Sequence, residues 1–147
     1  MTENSMESLL VQGMGSLEQG SPLTALMHFE AAAELGMSPL LKAYLGYCRA
    51  LERQQYREGL ILCREATVAE PQNSRIWLLM GRTCLLAGQK RPALQAFRRG
   101  LKVENNPQIV AEIKNLGLRR KPPFPTLDRN HPLNRIAGRF LVRLGMR

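Results

Sequence analysis

With 147 residues, 44% of them apolar but only 5% aromatic, the chain can bury one compact core plus a tail. Leu, Ala and Met dominate that core, which suits helices better than sheets. The net charge of +9 is uneven: residues 118–147 carry eight Lys/Arg against one acid, Asp128, and residues 1–117 carry a net +2, which assigns the basicity to the tail. Met1–Ser5 has neither a positive region nor an apolar core, and no run approaches the roughly 18 apolar residues of a membrane span. Cys48, Cys63 and Cys84 are odd in number and lack C-x-x-C spacing, which argues against a disulfide framework or a zinc site and for reduced thiols in a cytoplasmic protein.

In chain order, seven helices are predicted, near 5–19, 22–35, 39–53, 56–69, 74–87, 90–103 and 107–116. Asn4 with Glu7 forms a capping box ahead of the first. Ser21, Ser38 and Asn106 each stand before a proline, placing an acceptor at the cap and Pro in the first turn, where its missing N–H costs nothing. Gly20, Gly36, Gly88 and Gly117 fall where helix ends need a left-handed residue. Links of two to four residues make neighbouring helices antiparallel. Apolar positions recur at helical spacing throughout, as in Leu23, Leu26, Met27, Phe29 and Ala32, and strand-like alternation is absent.

A period runs through these helices. Ala25, Gly59 and Ala93 are spaced 34 residues apart, as are Ala32, Ala66 and Gly100, and Phe29, Cys63 and Phe97. Units that repeat at such a step bury their apolar faces against each other in a stack. The pattern over about residues 6–106 resembles the tetratricopeptide repeat, W-x2-L-G-x2-Y followed by A-x3-F, a small residue and Pro. The third unit offers Trp77, Met80-Gly81, Gly88, Ala93-x3-Phe97 and Gly100. The first offers Gly13, Gly20, Ala25-x3-Phe29 and Ala32, and the second Leu45-Gly46, Gly59-x3-Cys63, Ala66 and Pro71. The Tyr position holds Ser16, Arg49 and Cys84, and one extra residue separates Gly46 from Gly59, placed in the turn around Arg53–Gln55. The last predicted helix, with Ile109, Ile113 and Leu116 inward and Gln108, Glu112 and Lys114 outward, reads as a cap on the stack.

The resemblance implies an all-α, right-handed superhelical array of three antiparallel hairpins with a capping helix over residues 1–117. It also implies a concave groove lined by the first helix of each hairpin. Carried onto this sequence, the lining is Glu7, Leu10, Val11 and Met14, then Leu40, Ala43, Tyr44 and Tyr47, then Arg75, Leu78, Leu79 and Arg82. These slots are mostly apolar, unlike the Lys/Asn-rich set that clamps a C-terminal carboxylate in some family members. The implied role is non-catalytic: an adaptor or chaperone-like scaffold holding a protein or peptide around Tyr44 and Tyr47, with Arg75 and Arg82 steering acidic groups. In size, the chain is similar to the bacterial secretion chaperones of that family.

Nothing in the sequence argues for catalysis. His28 and His131 lie in separate segments, the cysteines have no fixed His partner, and Gly13-Met14-Gly15 follows a helical rather than a strand pattern. No cofactor or metal is expected, and nucleic acid is a weak candidate because the arginines lack interleaved aromatics. Residues 118–147 form a second region. Arg119–Pro125 is a basic, proline-rich link, and a helix then runs from His131-Pro132 to about Leu144. Leu133, Ile136, Ala137, Phe140, Leu141 and Leu144 share an arc of about 140° at 100° per residue, flanked by Arg135, Arg139 and Arg143. So short an amphipathic helix needs a surface. Three fit it: the chain's own repeats or a second copy, a partner protein, or an anionic membrane face. A membrane-surface or self-association module acting through this helix is therefore the alternative function, with a peripheral position at the inner membrane face.

Overall fold

The computed structural model describes residues 2–117. The tail positions named above (Leu133, Arg135, Ile136, Arg139, Phe140, Leu141, Arg143 and Leu144) lie outside them. Among the described residues there are seven helices: α1 Thr2–Glu18, α2 Pro22–Leu35, α3 Pro39–Arg53, α4 Tyr56–Ala69, α5 Ser74–Leu86, α6 Lys90–Val103 and α7 Pro107–Asn115. The chain separates into two compact units, Met1–Ile113 and Lys114–Arg147. In the first, α1 packs on α2, α3 on α4 and α5 on α6, and successive hairpins meet through α2–α3, α3–α5 and α4–α5.

The predicted caps are only partly realised. Ser38 Oγ accepts the Leu41 N–H at 3.2 Å, and Asn106 Oδ1 accepts that of Gln108 at 2.9 Å. Ser21 makes no side-chain cap bond, and Pro22 alone marks that helix start. The Asn4 capping box is corrected: α1 begins at Thr2, so Asn4 lies inside the helix. Thr2, Asn4 and Ser5 all have cap chemistry, and spacing alone does not choose among them. Gly20 and Gly88 close their helices at φ 76° and Gly117 at φ 67°. Gly36 is a second correction, since its φ of 167° is extended backbone that leads straight towards α3.

The inserted residue also becomes visible. After Gly20 and Gly88 the chain closes with Ser21 N–H to Ser16 O and Gln89 N–H to Cys84 O, five residues apart. At the end of α3, Gln55 N–H reaches Arg49 O across six, and Gln54 takes the left-handed conformation (φ 54°) without being glycine. The extra residue is taken up there, within the predicted turn.

All nine period-34 positions are buried, and their neighbours explain the period. A Cβ on Gly13 would meet the Phe29 ring at 2.4 Å, and one on Gly81 the Phe97 ring at 2.2 Å. In hairpins one and three, then, a phenyl ring lies directly on a bare helix backbone. The middle hairpin solves the same contact differently. A Cβ on Gly46 would be 2.6 Å from the Gly59 carbonyl oxygen, and one on Gly59 2.5 Å from the Gly46 oxygen. The two backbones have closed on each other, no ring fits, and Cys63 occupies the Phe position with Sγ 3.2 Å from the Gly46 Cβ site. The cap closes on the same principle: Ile109 lies where a Gly100 Cβ would be, beside Trp77.

The three thiols are free and buried. Burial pushes Cys48 and Cys63 up from 9.0 to about 12 and raises Cys84 as well. Between about pH 9 and 12 the unfolded chain therefore binds fewer protons than the folded one, and stability falls as pH rises through that window. Iodoacetamide at pH 8 is expected to leave Cys48 and Cys63 unmodified in the native protein and to label both in denaturant. Rapid native labelling, read by mass spectrometry, would contradict this burial.

Candidate functional site

The site is built from residues three and four apart on α5. Asn73 Oδ1 accepts the Arg75 N–H at 3.1 Å, and Trp77 Nε1 donates to Pro71 O at 2.9 Å, fixing the start and rotation of this helix. Arg75, Leu78, Leu79 and Arg82 then fall on one face. Opposite stand Met14, Leu17 and Glu18, on one face of α1, with Tyr44 from α3 and Gln108 from α7. These nine residues line a cavity of about 250 Å³.

Buried leucines and a stacked aromatic pair lie beneath it. Leu78 and Leu79 are buried, and Tyr44 stacks on the fully buried Phe29 ring at 5.0 Å between centroids and 22° between planes. Burial raises the Tyr44 phenol above its ordinary value, opposed by the positive charge of the nearby Arg75 guanidinium. The phenol thus stays protonated and polar at one edge of an apolar floor. Burial likewise raises Tyr47. The two cations differ: Arg75 is exposed, whereas the Arg82 Nε donates to Glu112 Oε1 of α7 at 2.7 Å, with both groups partly shielded.

Of the predicted lining, Met14, Tyr44, Arg75, Leu78, Leu79 and Arg82 come together around the cavity. Leu10, Leu40 and Tyr47 are half-buried and pack against the core. Ala43 is fully buried, with its carbonyl 3.5 Å from Cys63 Sγ, and presents no surface. Val11 is 65% exposed. Leu17 and Glu18, from the end of α1, line the cavity without having been predicted. Gln108 is exposed as expected and also lines the cavity, whereas the outward placement of Glu112 is corrected, since it holds Arg82. The i, i+4 relation of Gln108 to Glu112 is the one sequence signal for this, since it sets both on one side of α7.

His28 lies half-buried on α2, and no group of three or more His, Cys, Asp or Glu residues able to hold a metal occurs among the described residues. No helix among them is long and apolar enough to cross a membrane.

No family model matches the chain, and no curated protein matches it in sequence. Solved structures do resemble it. The second TPR domain of the human RPAP3 protein, determined by NMR in complex with the HSP70 peptide SGPTIEEVD, is similar with a TM-score of 0.60 at 22% identity. That similarity covers 79% of this chain and 98% of the other. The crystal structure of the Sgt2 TPR domain from Aspergillus fumigatus is similar with a TM-score of 0.58 at 16% identity, covering 88% of this chain and 93% of that one. At such identities the likeness is one of fold: the chain has the fold of these TPR domains, an array of helical hairpins.

Proposed function

We propose that the face carried by α1, α3 and α5 binds a protein or peptide, and that the protein acts as a non-catalytic adaptor. The observation that carries this is the cavity itself: half-buried Met14 and Leu17 over the buried Leu78 and Leu79, beside the exposed Arg75, with Glu18 at the rim. Such a site takes an apolar side chain flanked by an acidic one. The HSP70 peptide held by the RPAP3 domain supports a peptide as the class of ligand. In this reading Arg75 does the steering, and Arg82 joins only when the partner's acid displaces Glu112.

Affinity capture with the full chain, repeated with Met14→Lys and with Arg75→Glu, tests the proposal. Both substitutions are expected to remove the same partner while leaving the helical circular dichroism unchanged. A partner retained by both variants places the site elsewhere. Once a partner is in hand, Glu112→Gln is expected to tighten its binding a few-fold by releasing Arg82. Unchanged or weaker binding, read by calorimetry, would remove Arg82 from the site.

A further inference from the structure

The outward side of α6 has an unexplained charge. Lys90, Arg91, Arg98, Arg99 and Lys102 give this 14-residue helix five cations and no acid. All five are exposed. The rest of residues 1–117 is therefore net negative, although the whole segment stays near neutral beside the basic tail. Elsewhere in this unit Lys42, Arg49, Arg53 and Arg82 each find a carboxylate, and the cations that do not, Arg57, Arg64 and Arg75, are spread over two helices. None of the five on α6 finds one among the described residues, and Glu104, the acid that ends the helix, is bonded to Ser74 Oγ.

Helix physics does not account for the set. Lys90 and Arg91 stand in the first turn, where the macrodipole disfavours cations and the helix has no acid to offset them. Nor does the repeat account for it. One and two periods earlier, the position of Arg91 is held by Arg57 and Leu23, that of Gln95 by Ile61 and Met27, and that of Lys102 by Val68 and Glu34. The fold accepts almost any side chain there. At 100° per residue, Arg91, Arg98 and Lys102 fall within about 40° of one another, strung over about 16 Å of helix.

We propose that this face of α6 docks on an anionic phospholipid membrane. A protein partner would need apolar or aromatic anchors, and Gln95 is the residue that completes the stripe. Single-stranded nucleic acid would need open rings for its bases, but Arg99 covers Trp77, with its guanidinium carbon 5.4 Å from the ring centroid. An anionic leaflet needs only accessible cations, and clusters of four to eight Lys/Arg on a helix have the required strength.

The test is co-sedimentation of the full chain with vesicles of phosphatidylcholine, with and without phosphatidylserine, over a salt series. Binding is expected only with phosphatidylserine and is expected to weaken as salt rises. Neutralising the stripe in Arg91→Gln/Arg98→Gln/Lys102→Gln should lower it roughly a hundredfold, at about fivefold per cation. The charge-conserving Arg91→Lys/Arg98→Lys should keep it, which a structural role for the arginines would not predict. Failure of the parent to bind, equal binding to phosphatidylcholine alone, or a neutralised stripe that binds like the parent would each overturn the proposal. So would tighter binding to duplex DNA through the same three residues.

Discussion

Valine in place of Gly46 is expected to destabilise the repeat unit by about 3 kcal/mol, the upper part of the range for overpacked cores. The side chain would have to occupy the 2.6 Å between its own Cβ site and the Gly59 carbonyl oxygen. Backbone cannot rotate away as the end of a side chain can, so α3 and α4 must separate and lose their contact. On propensity alone the change would be favourable, because glycine is the worst ordinary residue in a helix interior. The packing effect is larger and sets the sign. Gly15 supplies the control, since nothing lies within 4 Å of its Cβ site. Gly15→Ala should stabilise by about 0.5–1 kcal/mol. Urea denaturation of the two variants beside the parent decides the matter: a Gly46→Val midpoint at or above that of the parent would disprove the close approach of α3 and α4.

Removing either phenyl ring should cost a comparable amount for the opposite reason. Phe29 and Phe97 are both fully buried, and Phe→Ala at such positions loses about 3–5 kcal/mol to the lost transfer energy and the cavity left behind. The two variants are expected to differ in function. The Phe29 ring supports Tyr44 from behind, so its loss should loosen the cavity floor and weaken partner binding beyond what the fraction unfolded explains. Phe97 packs on Gly81, outside the cavity lining, so Phe97→Ala should lower the melting temperature and leave the affinity of the folded fraction unchanged. Equal loss of affinity in both variants would mean that Tyr44 does not depend on Phe29.

The helices were legible because their punctuation is chemical and local: Pro39 after Ser38, Pro107 after Asn106, and glycines at 20 and 88 that alone accept φ near 76° without strain. The period was legible because each unit must repeat the same close contact. What escaped depends on distance rather than pattern. Spacing cannot show that Gly46 and Gly59 touch, and so cannot explain a cysteine where the other units have phenylalanine. It cannot tell Ala43, sealed in the core, from Tyr44 one residue on, which lines the cavity. Nor can a net charge summed over 117 residues reveal that five cations share one helix while acids elsewhere offset them. Nor does spacing distinguish a solubilising Glu112 on an outer cap from one whose carboxylate holds Arg82 at 2.7 Å.

Each helix of the first unit meets its substantial neighbours at most two helices away along the chain. Among the described residues no contact of that kind joins distant parts of the chain, so the search that slows sheet proteins is largely absent there. A hairpin emerging from the ribosome can therefore settle before the next has been translated, and the growing polypeptide need not hold much apolar surface open to water at any moment. In the mature protein the same locality permits fraying from one end while the middle stays intact.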